Sequence, residues 1–280
     1  MLKSSRKMLV VILALALCLC TASWAGAQGL PGFKNLKGKI DIAGGTAHIP
    51  VMKDAAEQIM KANPHIRITV AGGGSGVGVQ KVGEGLVDIG DTGRALTKAE
   101  IAKYGLKTFP FAVDGVAVAV NPKNPVIALT SQQIKDIFAG KIKNWKAVGG
   151  SDAPIHLFTR DEASGTRATF WKKLLKKGPI DSKANVVASN GAMKMAIEQD
   201  PQAIGYVGIG FLDKKLKGIK LNGVAPTQEN AKNGTYPVTR LLYMKTKGEP
   251  SPLVKAFIDY IRGPEGAKII QKHGYIPTGK

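Results

Sequence analysis

The feature that most constrains this chain is a repeated unit. A short apolar strand ends on glycine beside a hydroxyl residue and passes straight into a helix. Lys39-Ile-Asp-Ile-Ala43 runs into Gly44-Gly-Thr46, ahead of a helix predicted over Val51–Ala62 with Val51, Ala55, Ile59 and Met60 on one side. Asn63-Pro64 stops that helix. Ile66–Val70 alternates as a strand, and Gly72-Gly-Gly-Ser-Gly76 turns into a second helical run. Val87–Gly90 is strand-like again. This βαβαβ order predicts an α/β fold with a largely parallel sheet.

Further along, Val116–Val120 is a continuous apolar strand and Gln132–Phe138 a helix capped by Thr130 or Ser131. Strands are predicted at Ile155–Phe158, Ala203–Val207 and Arg240–Met244. Helices are predicted at Arg167–Leu175, Ala192–Gln199, Pro252–Arg262 and Glu265–His273. Ser164-Gly-Thr166 repeats the glycine–hydroxyl turn, and Asn190-Gly191 is a weaker copy. Glycine lets a ligand approach the backbone amides, and a helix start presents unpaired N–H groups and the positive end of the dipole. One such turn is ordinarily a simple N-cap. Several in one chain, at the carboxyl ends of strands, point to an anion site. Arg160 ends a strand just before Ser164, and a guanidinium grips a tetrahedral oxyanion through parallel hydrogen bonds.

The N-terminus reads as an export signal over residues 1–27. Lys3, Arg6 and Lys7 precede the apolar run Met8–Cys20, and Ala25-Gly-Ala27 fits a cleavage site. The run is shorter than the ~20 residues a spanning helix needs. Leu17 and Leu19 stand before Cys18 and Cys20, where a lipoprotein signal carries a small residue. Cleavage after Ala27 removes both cysteines, and with them any disulfide, thiol nucleophile or cysteine metal site. It also takes the formal charge from +20 to +17. The mature chain is expected to be periplasmic.

Three function classes compete. For an enzyme, Ser75 and Ser164 are candidate nucleophiles, yet Gly73-Gly-Ser-Gly-Val77 breaks the G-x-S-x-G elbow. His48, His65, His156 and His273 are scattered without metal-pair spacing, so no catalytic or metal residue is assigned and no cofactor is expected. His48 keeps interest through its closeness to Thr46. The excess of Lys and Arg invites a nucleic-acid or anionic-surface reading. Few aromatics (6%) and the absence of an arginine stripe or known module argue against it, so no nucleic-acid partner is expected. Lys172-Lys173 and Lys176-Lys177 read as a solvated helix end. The third class is a receptor for a small anion.

From about Gly38 to Tyr275 the chain resembles the phosphate-binding proteins of Pst-type ABC importers. The matching landmarks are Gly45-Thr46, Gly73-Gly-Ser-Gly76, Val87–Gly90, Asp114-Gly115, Ile137–Trp145, Arg160–Thr166 and Ala203–Val207. The resemblance implies a two-lobed periplasmic-binding-protein fold of the type II, Venus-flytrap kind, with a hinge crossed twice. One lobe would hold 28–115 and 238–280, the other 116–237, with crossings near Val113–Val118 and Tyr236–Leu241. It implies phosphate contacts from Thr46, Ala47 and Ser75 on one side and from Arg160, Ser164, Gly165 and Thr166 on the other. Glu162 would steady the arginine, and Asn190 would support the site. Larger family members carry an aspartate, the acceptor of the phosphate proton, where this chain has Gly93. Asp114 is expected to supply that acceptor and Arg94 an extra cation. The implied partners are inorganic phosphate and the importer's membrane permease subunits, with the receptor a monomer. Molybdate, tungstate and sulfate remain alternative ions on the same fold.

Overall fold

The structure is a computed structural model that describes residues Leu30–Thr278. The export signal of residues 1–27 lies outside the described residues. In chain order the elements are β1 (Gly38–Gly44), α1 (Ile49–Ala62), β2 (Ile66–Gly73), α2 (Ser75–Glu84), β3 (Ile89–Thr92), α3 (Lys98–Tyr104) and β4 (Lys107–Val120). Next come β5 (Ala128–Leu129), α4 (Ser131–Phe138), β6 (His156–Arg160), α5 (Gly165–Lys173), β7 (Asn185–Val187), α6 (Asn190–Gln199) and β8 (Ala203–Gly208). The chain closes with β9 (Lys217–Gly218), β10 (Lys220–Leu221), α7 (Gln228–Lys232), β11 (Thr239–Thr246), α8 (Pro252–Arg262), α9 (Pro264–Lys272) and β12 (Ile276–Pro277).

Two apolar cores organise these elements into two lobes. The first is built from β1–β3, α1, α8, α9 and the early part of β4, with Ile40, Ile42, Val51, Ile59, Phe111, Met244, Phe257 and Ile261 buried together. The second gathers Val116, Val118, Ile134, Phe138, Trp145, Phe170, Tyr206 and Tyr236. Helical periodicity explains the first. α1 buries Val51, Met52, Ala55, Ala56 and Ile59, and α8 buries Leu253, Val254, Phe257, Ile258 and Ile261. Each set is one stripe with a charged opposite face.

The sheet path runs β2-β1-β3-β11-β4-β8-β6-β7. The expectation of a largely parallel sheet is corrected: the sheet is mixed. β1 pairs in parallel with β2 and β3, and β6 with β7 and β8. At the middle, β11 is antiparallel to β3 and β4, and β4 is antiparallel to β8. β4 joins the lobes, pairing with β11 as far as Gly115 and with β8 from Val116 onward. Only its apolar second half is legible as strand. Pro110 interrupts the first half, and the ladder shifts register there, between Leu242 and Tyr243 of β11, which accommodates a residue lacking an N–H.

Two helices start earlier than their periodicity predicts. Ser164 caps α5 by accepting from the Arg167 amide, and Ser189 caps α6 by accepting from the Ala192 amide. These caps draw Gly165–Thr166 and Asn190–Gly191 into the first helical turns.

Candidate functional site

The carboxyl ends of β1, β2, β3 and β6 meet between the lobes. Gly45, Thr46, Ala47, His48, Gly74, Ser75 and Gly93 line a closed pocket from the first lobe. Arg160, Ser164, Gly165 and Thr166 line it from the second, and Arg240 joins from β11. The cavity between these residues is about 10 Å³, far below the roughly 300–1,000 Å³ of a site for an organic ligand.

Each wall follows from local chemistry. Gly44 has φ +134°, and a side chain there would lie 2.3 Å from the Asp91 carbonyl oxygen, so the turn out of β1 needs glycine. The Gly45 amide then donates to that same carbonyl at 2.8 Å, fixing the segment that leads into α1. Gly74, at φ +92°, precedes α2 without a side-chain cap, and a Cβ there would lie 2.9 Å from the Ala163 oxygen of the other lobe. Ser75 opens α2, and its Oγ accepts from the Gly93 amide at 2.9 Å. A Cβ on Gly165 would fall 2.2 Å from Ser75 Oγ, so glycine here lets the lobes touch.

Three hydrogen bonds across the lobes hold the pocket shut. The Gly76 amide donates to the Ala163 carbonyl at 2.9 Å. Asn190, fully buried, donates to Thr46 Oγ1 through Nδ2 at 3.0 Å and through its backbone N–H at 3.2 Å. Its Nδ2 also reaches Thr166 Oγ1 at 3.3 Å, and its Oδ1 accepts from the Gly208 amide at 3.2 Å. Asn190 thus links three pocket or pocket-adjacent segments.

The electrostatics favour an anion. Arg160 is 2% exposed. Its Nη2 donates to the Ala188 carbonyl at 2.9 Å, while Nε and Nη1 have no hydrogen-bond partner among the described residues. Burial holds its pKa below the usual guanidinium value. Such a group calls for an acceptor in the pocket. His48 is buried against Phe111, and burial, with the nearby Arg240 charge, lowers its pKa to about 3, so the ring is neutral. No carboxylate side chain lines the pocket.

The structure gathers Thr46, Ala47, Ser75, Arg160, Ser164, Gly165 and Thr166 in the pocket wall, with Asn190 bonded behind it. Three expectations are corrected. Arg94 does not line the pocket. Its guanidinium is gripped by both carboxylate oxygens of Glu100 at 2.7 Å, within the capping box that starts α3. Asp114 does not line it either. Its Oδ2 accepts from Nε and Nη2 of Arg240 at 2.9 and 2.7 Å, and Oδ1 is buried without a partner. Burial raises the Asp114 pKa, and the Arg240 charge pulls it back down. Glu162 is exposed and makes no bond to Arg160. The acid whose charge acts on Arg160 is Asp161.

Arg240 is the pocket residue that the sequence reading passed over. It faces Asp114 directly across the β4–β11 ladder. The available signal was a charge of opposite sign inside each of two largely apolar strands. Pairing them required the register.

Relatives share this fold. A profile of the PBP superfamily domain matches residues 32–265. The phosphate-binding protein PstS of Bacillus subtilis is 37% identical, over 96% of this chain and 94% of its own. PstS of Borreliella burgdorferi is 29% identical, over 85% of this chain and 89% of its own. Among solved structures, a Clostridium perfringens protein assigned as a phosphate ABC transporter substrate-binding protein, with bound phosphate, superposes with a TM-score of 0.82. It is 34% identical and covers 86% of this chain and 100% of its own. An ABC-type phosphate transport receptor of Vibrio cholerae has a TM-score of 0.69 at 35% identity, over 85% of this chain and 99% of its own. With two lobes, a small polar pocket between them and relatives matching nearly end to end, the chain belongs to the PstS family of phosphate-binding proteins within the PBP superfamily.

Proposed function

We propose that this protein captures inorganic phosphate between its lobes and delivers it to the permease of an ABC importer. The observation that carries this reading is the half-unsatisfied guanidinium of Arg160, aimed into a closed pocket of hydroxyls and helix starts. Each charge-assisted hydrogen bond contributes about 1.5–3 kcal/mol, and several converging on one ion reach micromolar affinity or better after ordering costs. The lobes are 28–115 with 238–280, and 116–237. Their separation admits the ion, and their closure lets both sets of donors act together. The closed form is what the permease recognises. The protein acts after export to the periplasm and cleavage near Ala27, as a monomer, and it binds rather than turns over its ligand. Among the described residues no helix is long and apolar enough to cross a membrane.

A second reading, a fully deprotonated oxyanion such as sulfate or molybdate, is favoured by one observation: no lining side chain is a carboxylate that could accept the phosphate proton. Asp114 acts on selectivity through Arg240, by compensating its charge. Calorimetric competition on ligand-stripped protein separates the two readings. Phosphate is expected to bind at least a hundredfold more tightly than sulfate or molybdate. Equal or inverted affinities would replace phosphate by the other ion.

A further inference from the structure

Beyond the closed pocket lies a second recess, formed by Arg94, Ala95, Thr239, Arg240, Leu241 and Tyr243 of the first lobe and its connecting strand, and by Ala168, Thr169, Lys172 and Lys173 of α5. Arg240 is the one residue common to the linings of pocket and recess. Its guanidinium, held from behind by Asp114, therefore stands between the two. The four cations of the recess are not equivalent. Arg94 and Arg240 have carboxylate partners in Glu100 and Asp114. Lys172 and Lys173 are exposed and make no ion pair among the described residues, so their charge projects into solvent at the recess mouth.

The geometry points to this recess as the entrance by which the anion reaches the pocket, with Lys172 and Lys173 steering it and Arg240 receiving it. The inference rests on the phosphate-binding reading above and adds a side of approach and the residues that set the capture rate. Uncompensated like charges at the mouth of a cleft raise the local concentration of a counter-ion and its on-rate by about 10–10³. They do so without touching the bound ion, so the off-rate is unaffected. The effect fades as salt shortens the screening length from about 10 Å at 0.1 M to about 3 Å at 1 M.

The test is stopped-flow measurement of phosphate association and dissociation on the full mature protein, at low and high salt. The variants are Lys172→Glu/Lys173→Glu and the milder Lys172→Gln/Lys173→Gln. The control is Lys34→Glu/Lys37→Glu, which makes the same change in net charge near the opposite end of β1 from the pocket, about 20 Å away. The expected result is an on-rate lowered about tenfold in the Glu pair at low salt, a smaller loss in the Gln pair, and convergence with the parent at 1 M salt. Off-rates should stay within twofold of the parent, and the control's on-rate should fall much less. An unchanged on-rate, an equal loss in the control, or a change confined to the off-rate would overturn the inference. A parent protein that binds no phosphate would instead sink the functional reading beneath it.

Discussion

Replacing Arg160 by methionine separates ligand binding from stability at a single side chain. Methionine keeps much of the volume and avoids the cavity that alanine would leave. The substitution removes two N–H donors, Nε and Nη1, that are buried at the pocket and unpaired among the described residues. At about 1.5–3 kcal/mol for each charge-assisted bond, their loss costs about 3–6 kcal/mol of binding, a hundred- to ten-thousand-fold weakening. The same change removes a desolvated cation, whose burial opposes folding, and it forfeits the bond from Nη2 to the Ala188 carbonyl. The phosphate-stripped variant is therefore expected to melt no lower than the parent, while phosphate ceases to raise its melting temperature. Titration calorimetry gives the affinity and differential scanning calorimetry the stability. A variant binding phosphate within threefold of the parent would refute the placement of Arg160 at the ion. A variant that is merely unfolded would refute the claim that this charge is held for the ligand.

Other substitutions test other parts of the site. Gly165→Ala adds a methyl where Ser75 Oγ stands 2.2 Å away across the lobes, while alanine suits the first turn of α5. Affinity should fall at least tenfold with no loss of melting temperature in phosphate-free buffer; parental affinity would mean the lobes do not close as described. Asn190→Ala removes bonds to Thr46, Thr166 and Gly208, at about 1 kcal/mol each. Melting should fall by the equivalent of about 2–3 kcal/mol, and phosphate binding should weaken about tenfold, as read by thermal scans and calorimetry. His48, with a folded pKa of about 3 against the usual 6.5, takes up its proton more readily in the unfolded chain. Stability is thus complete above pH 6.5 and declines as pH falls toward 3, by up to about 1.4 kcal/mol per pH unit. Urea unfolding across that range should show the slope, and His48→Gln should flatten it.

Much of the site could be read from residue order because it is made of local structure. A glycine–hydroxyl turn between strand and helix sets its own backbone, so Thr46, Ser75, Ser164 and Thr166, which line the pocket, stood out as candidate positions before any packing was known. Part of the first lobe's core was visible for the same reason, through the helical stripe of α1. The first half of β4 was not, because Pro110 breaks the local strand pattern and only pairing with β11 restores it.

What remained hidden depends on which side chains meet across the fold. Arg94 and Glu162 lie within two residues of pocket residues and Asp114 does not, and sequence cannot tell which way any of the three charges is drawn. The structure turns Arg94 to Glu100, pairs Asp114 with Arg240, and leaves Glu162 in solvent. Arg240 joins the pocket because antiparallel register sets it opposite a residue far earlier in the chain. Sequence by itself determined the glycine–hydroxyl turns that lead into the helices, since hydrogen-bond geometry there spans only a few residues. The tertiary structure alone decided where the charges are neutralised, since an ion pair forms wherever burial brings opposite charges together, at whatever separation along the chain.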